Sequence, residues 1–231
     1  DYCGWQRQDN GVSIQQKVEE VLEHLNGLPL HVEGAGRTDA GVHAQGQVCH
    51  ADLPKSWDER KLNLGMNALL PEDIVIKRVE KVPDTFHARF SAKSKLYTYA
   101  ILHNHCADPF RWKYSYHYPV SLDLTTMKSA CPLFVGKKDF VNFCKEPFRK
   151  DTTVRTVIKL DIRQEGHYIF VDIMADGFLY NMVRTIAGTL LWVGNGKIPL
   201  AEAAKFFEAG RRTEVGPTAP ACGLTMVEVH Y

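Results

Sequence analysis

The sequence predicts an α+β protein built as two similar halves, each a mixed or antiparallel sheet flanked by helices, joined side by side. Segments with helical and with strand periodicity interleave along both halves. Turns that read as hairpins stand beside longer crossovers, which excludes a purely parallel sheet. No Gly-x-Gly-x-x-Gly fingerprint opens any helix, so a dinucleotide-binding sheet is not expected.

Ser13-Ile14-Gln15-Gln16 has capping-box spacing, and Ile14, Val18, Val21, Leu22 and Leu25 then recur at helical spacing until Asn26-Gly27 ends the helix. A short apolar strand with Leu30 and Val32 enters a glycine-rich loop, and a second strand, Gln47 to Ala51, leaves it. Leu62, Met66, Leu69 and Leu70 mark a helix that Pro71 stops, and Ile74 to Val79 reads as a strand. The passage between halves runs from Pro83 to Ala92 without a long linker, giving halves 1–88 and 89–231.

Lys93 to Leu102 carries apolar or aromatic residues on both faces, as a central strand does. Leu124, Met127, Cys131 and Phe134 predict a helix that Pro132 kinks or shortens. Thr156, Ile158, Leu160 and Ile162 alternate with Lys159, Asp161 and Arg163, and Glu165-Gly166 turns this strand into another, Tyr168 to Ala175. A helix from about Leu179 to Gly194, a second over Leu200 to Ala209, and a strand from Leu224 to His230 close the chain.

With 231 residues, of which 45% are hydrophobic and 24% charged, the chain can bury a substantial core. No apolar run approaches the roughly 20 residues of a membrane span, and Asp1 to Gln6 do not read as a signal peptide, so a cytoplasmic protein is expected. The six cysteines form no Cys-x-x-Cys pair, and His103, His105 and Cys106 lack a second ligand pair, so no metal is expected. The formal net charge is only +1, yet basic residues gather at Lys93, Lys95, Arg111, Lys113, Lys137-Lys138, Lys145, Arg149-Lys150, Arg155 and Arg211-Arg212. A local region can carry positive potential while the whole molecule stays near neutrality.

Gly36-Arg37-Thr38-Asp39-Ala40-Gly41-Val42-His43-Ala44 is the most informative stretch. Glycines at 34, 36, 41 and 46 permit sharp turns and a close ligand approach. An Asp-Gly turn alone is an ordinary connection. Here, however, a single carboxylate stands mid-loop with a guanidinium two residues before it, and Glu33 lies back in the strand. Glycosidases use a pair of carboxylates, so hydrolysis does not fit this loop.

The whole nonapeptide resembles the catalytic motif of the tRNA pseudouridine synthase A (TruA) family. The resemblance continues in Gly4-Trp5-Gln6-Arg7-Gln8, in Phe86-His87-Ala88-Arg89-Phe90-Ser91-Ala92 and in Tyr97-Thr98-Tyr99. Later come Met182-Val183-Arg184 with Gly188-Thr189-Leu190, then Gly216-Pro217-Thr218-Ala219-Pro220 and Gly223-Leu224. These matches keep the family's order and run nearly end to end. The family carries a strand ahead of the Gly-Trp-Gln segment; this chain opens at Asp1 without it, so either that strand has been trimmed away or it is absent, and the completeness of the first half's sheet stays open.

The resemblance implies a cleft between the halves and isomerisation of uridine to pseudouridine at positions 38, 39 and 40 of the tRNA anticodon stem-loop. It implies a homodimer, with tRNA as partner and no cofactor. Asp39 becomes the catalytic carboxylate, either attacking C1′ of the ribose or removing a proton from C2′ to give a glycal. Tyr97 is the strand tyrosine, stacking on the free uracil and helping to receive the C5 proton, while Tyr99 on the same face packs. Arg184, on a mostly apolar helix, needs a partner for its charge, and Asp39 is the expected one. Arg37 is expected to fill the space of a flipped base or hold the adjacent phosphate. His43, Lys145, Arg149 and Lys150 complete the expected RNA contacts.

Overall fold

The computed structural model describes residues 2–145, 152–208 and 212–231. In chain order the elements are α1 (Ile14–Asn26), β1 (Glu33–Gly34), β2 (His43–Ala44), β3 (Cys49–His50), α2 (Glu59–Leu69), β4 (Ser94–Leu102), β5 (Tyr116–His117), α3 (Leu124–Ala130), β6 (Gly136–Asp139), β7 (Val154–Glu165), β8 (Tyr168–Ala175), α4 (Met182–Gly194) and β9 (Leu224–His230). Short 3₁₀ turns connect several of them. This is the mixed α+β fold, with a mixed sheet flanked by helices, that the sequence predicts. The chain forms two compact units, one of residues 1–41, 47–92 and 231, the other of residues 42–46 and 93–230.

In the first unit, Ser13 caps α1 by accepting the Gln16 amide at 3.2 Å. Only this half of the capping box closes, because the Gln16 side chain donates to Glu20 instead. Gly27, at φ 77°, ends the helix with its N–H on Glu23 O. Val18, Val21 and Leu22 of α1 meet Leu62 and Met66 of α2 in a core completed by Trp5, Val32, Leu70 and Ile74. The segment 74–79 is not a strand. The Ile76 N–H donates to Asn67 Oδ1 at 2.8 Å, and its carbonyl accepts from Asn63 and Asn67 Nδ2 at 2.7 and 2.9 Å. Side-chain amides of α2 thus occupy the backbone groups that a neighbouring strand would need. The regular pairing of this unit is β1 against β3, with Glu33 opposite His50.

Glu19 ties the N-terminal segment to this core. Its carboxylate accepts from Gln15 Nε2 at 2.9 Å, the Val32 amide at 3.1 Å and Arg7 at 2.8 Å. Burial pushes the carboxyl up, but these donors outweigh it and hold the group below the usual carboxylate range.

In the second unit the sheet runs β2-β9-β4-β8-β7-β6, and β5 also pairs with β4. β4 is central: β8 pairs with it antiparallel along its length, β9 covers Ser94–Tyr99 on the other side, and β5 pairs with Ile101 and Leu102. β9, expected to close the sheet, lies inside it, because β2 adds in parallel beyond it. Gly166 at φ 58° makes the tight turn from β7 to β8. α3 stops at Ala130 and Pro132 continues it as a 3₁₀ turn, as expected of that proline. The helical reading of 200–209 is observed as a 3₁₀ stretch over Leu200–Phe207, and Ala209 falls outside the described residues. Among the described residues no helix is long and apolar enough to cross a membrane.

Because the Glu19 carboxyl is depressed in the folded state, its stabilisation is complete above its ordinary value of 4.5 and is lost as pH falls through the folded value. Glu19→Gln should cost about 1–3 kcal/mol at neutral pH and flatten the acid limb of stability. Urea unfolding at several pH values checks this; an unchanged acid limb would remove Glu19 as its source.

Candidate active site

The Asp39 loop is held by main-chain contacts. The Trp5 N–H donates to Thr38 O at 3.0 Å, and Gly4 forms an antiparallel bridge with Asp39. Gly4 sits at φ 106°, where a Cβ would lie 2.4 Å from Thr38 O. Only glycine lets these backbones approach so closely. On the entering side, the Ala35 N–H donates to Val48 O at 2.7 Å, and Gln47 Nε2 donates to Gly36 O at 2.7 Å. The Trp5 indole covers Gly34, filling the space of a missing side chain. Gly41, at φ 79°, turns the chain out of the loop. Asp39 is half-buried on this frame and Arg37 is exposed.

Residues 42–46 belong to the second unit. His43 opposes Thr225 in the parallel pair of β2 and β9, and the Gln45 N–H donates to Met226 O at 2.8 Å. His43 Nε2 donates to Lys113 O at 2.6 Å, and its ring lies 4.6 Å from that of Tyr114.

Tyr97 stands on β4 between Ile173 and Met226, buried, with Phe178 edge-on at 5.0 Å. The β4–β9 register slips between Leu96 and Tyr97. Such an irregularity re-aims a side chain relative to its neighbours. Tyr99 is fully buried, donates its hydroxyl to Pro220 O at 2.8 Å, and has its acidity suppressed by burial.

Arg184 lies in the first turn of α4. Its Nε donates to Ala219 O at 2.7 Å, and a terminal nitrogen donates to Asn181 Oδ1 at 2.8 Å. Two acceptors at fixed positions orient the planar guanidinium. Asn181, buried at the helix entrance, has φ 62°, a left-handed conformation that asparagine tolerates better than most residues. The arginine's own carbonyl accepts the Ala219 N–H at 3.1 Å. One turn on, a Cβ at Gly188 would lie 1.8 Å from Pro217 O, so α4 presses directly on this segment. The buried hydroxyl of Thr189 accepts the Gly216 N–H at 2.9 Å and fastens the same contact.

Lys145 is exposed, with its N–H on Tyr180 O at 3.4 Å. Arg149 and Lys150 lie outside the described residues. Asp39 and Arg37 belong to the first unit; Tyr97, Arg184, His43 and Lys145 belong to the second. Sequence reasoning missed the anchoring roles of Gly4 and Asn181 and the slipped register at Tyr97. A glycine pressed against backbone leaves only the letter G as its signal, and a bulge leaves none. Among the described residues no group of three or more His, Cys, Asp or Glu is arranged to hold a metal ion.

A family model described as tRNA pseudouridine synthase matches residues 1–91 and 130–231. The chain is 40% identical over its whole length to tRNA pseudouridine synthase A 1 of Bacillus cereus, covering 94% of that protein. It is 42% identical, again over its whole length, to tRNA pseudouridine synthase A of Syntrophotalea carbinolica and 43% identical to that of Brevibacillus brevis, covering 91% and 95% of them.

Gly4→Ala places a Cβ against Thr38 O in a backbone region that side chains avoid. It should destabilise the protein by about 1–3 kcal/mol and shift the amide resonances of Thr38 to Ala40. Two-dimensional NMR beside chemical denaturation checks both; an unmoved loop would show that the Gly4 contact does not set its position.

Proposed function

This chain belongs to the tRNA pseudouridine synthase family, and on that premise we propose that it isomerises uridine at positions 38, 39 and 40 of the tRNA anticodon stem-loop, with Asp39 as the reacting carboxylate. The glycosidic C1′–N1 bond breaks, the uracil turns, a C1′–C5 bond forms, and the C5 proton leaves for N1 or solvent. Every heavy atom of the uridine is retained and no electron is exchanged, so the reaction calls for no cofactor.

The observation that carries the reading is the Asp39 loop, in which one carboxylate rides on a backbone pinned at Thr38 and Gly36. A reacting group gains from being held in place before substrate arrives. Asp39 either attacks C1′ or takes the C2′ proton, and both routes use the ionised acid. Arg184 is the cation proposed to pair with it. A positive charge in the first turn of a helix opposes the helix dipole, by about 0.3–1 kcal/mol at exposed sites, so an anionic partner gives that placement a reason. Tyr97, preset by Phe178, offers the ring for the detached base and the hydroxyl for the C5 proton. Arg37 is exposed and suited to the flipped-out nucleotide's neighbourhood. His43, Lys145, Arg149 and Lys150 are the further proposed RNA contacts, the halves 1–88 and 89–231 the proposed domains, and the active form a cytoplasmic homodimer.

The alternative is an RNA-binding protein without catalysis, and one assay separates the two. Asp39→Ala should abolish tritium release from tRNA labelled at uridine C5 while tRNA affinity stays within a few-fold. Release by the variant at the wild-type rate would remove Asp39 from the mechanism, and binding without turnover by the wild type would favour the alternative. Arg184→Lys should lower kcat about 10- to 100-fold, and the same substitution should have little further effect beside Asp39→Asn. Additive losses would break the proposed pairing.

A further inference from the structure

Between β4 and β5 the chain makes a compact turn over residues 108–115 that the chemistry above does not use. Within it aromatic and cationic residues alternate: Phe110, Arg111, Trp112, Lys113, Tyr114. The three aromatics are strongly exposed, at 92%, 64% and 57%. Exposed rings normally mark mobile or interacting surface, yet this turn is fastened at both ends. Asp108 accepts the Tyr168 hydroxyl at 2.6 Å and the Phe110 N–H at 2.9 Å. The Arg111 carbonyl accepts from the Tyr114 N–H at 2.9 Å and from the Ser115 hydroxyl at 3.0 Å. Lys113 O accepts a hydrogen bond from His43 Nε2, and Tyr114 leans on the His43 ring. Lys113 Nζ lies 5.5 Å from the centroid of the Trp112 ring, and the Arg111 guanidinium lies 5.1 Å from that of Tyr168.

We propose that this turn is a stacking platform for unpaired RNA bases, resting on the reading that the substrate is tRNA. Flat aromatic faces held beside cations are what unpaired nucleotides need, since each base offers a π-face and each nucleotide a phosphate. A protein partner would favour an apolar patch, whereas here a cation follows each of the first two rings and meets phosphate charge. The rigid backbone means that little ordering entropy opposes the contact. The platform serves unpaired nucleotides of the bound RNA. Phe110 and Trp112 carry the stacking, and Arg111 and Lys113 the phosphates.

The test uses the full chain labelled with 5-fluorotryptophan, the Trp112 resonance being assigned by its loss in Trp112→Phe. Two RNA probes of equal length are added, a hairpin with a seven-nucleotide loop and a blunt duplex. The Trp112 signal should shift with the hairpin and stay in place with the duplex. Trp112→Ala should weaken hairpin binding about tenfold, and Trp112→Phe should restore most of it. An unmoved Trp112 signal on a hairpin that does bind, or equal affinity of the Ala and Phe variants, overturns the platform and leaves the tRNA reading standing. A signal that moves with protein dilution alone assigns the turn to contact between two copies and also overturns it. Failure of the wild type to bind either RNA overturns the tRNA reading and the platform with it.

Discussion

Backbone pressed on backbone through glycine is the constraint on which this structure depends. At Gly4 the absence of a side chain lets the Trp5 N–H reach Thr38 O, and that bond is one of the contacts that position the acid-bearing loop. At Gly188 the same device lets α4 lie on the segment of Pro217, whose neighbour Ala219 holds the Arg184 guanidinium. In both places the side chain, Asp39 or Arg184, is carried on main chain that is itself held by close backbone contacts. A side-chain clamp would add rotamer freedom that these contacts do not have. The Gly4 bond is in turn backed by Glu19, which reaches both Arg7 of the N-terminal segment and Val32 of the chain that enters the loop.

The readable parts of the fold are those with a local cause. Ser13 and Gly27 bound α1 because a hydroxyl acceptor and a left-handed glycine act within one turn of the helix. β8 follows from alternation and β7 from alternation and a glycine turn, although a register shift between Val157 and Lys159 leaves Ile158 exposed, and Pro132 shortens α3 by its own geometry. Segment 74–79 misleads for a nonlocal reason. Its apolar residues have strand composition, but its hydrogen bonds go to two asparagines on α2. The place of β9 is nonlocal as well, since nothing in Leu224–His230 announces that β2, some 180 residues earlier, will add beyond it. The residues proposed to react came from the motif, whereas the contacts around them did not. Asn181 looks like any residue before a helix until its backbone is seen to be left-handed and its amide to face Arg184.

Charge balance explains how an RNA-modifying family member has a formal net charge of only +1. Several of its acids are engaged internally. Glu19 is tied to Arg7, Asp108 to Tyr168, and Asp172 to Arg163 and Thr98. A carboxylate committed to a nearby donor projects less field than an open one, so it offsets exposed basic side chains such as Lys145 and Arg37 less than its formal charge suggests. Net charge counts both kinds equally and therefore understates the local potential.

The aromatic turn is fastened by the strand that follows the acid in the chain. Residues 37–39 carry the guanidinium and the carboxylate, and His43, on the strand that follows, fastens the turn at Lys113. A displacement of β2 would therefore reach the turn that carries the three exposed rings. The coupling needs no moving part: β2 is pinned to β9 by the Gln45 amide and by the tight fit of Gly46 against Val227, where a Cβ would lie 2.3 Å from the carbonyl oxygen. The turn thereby takes its position from the seven-stranded sheet, through β2 on β9 at one anchor and β5 on β4 at its own end.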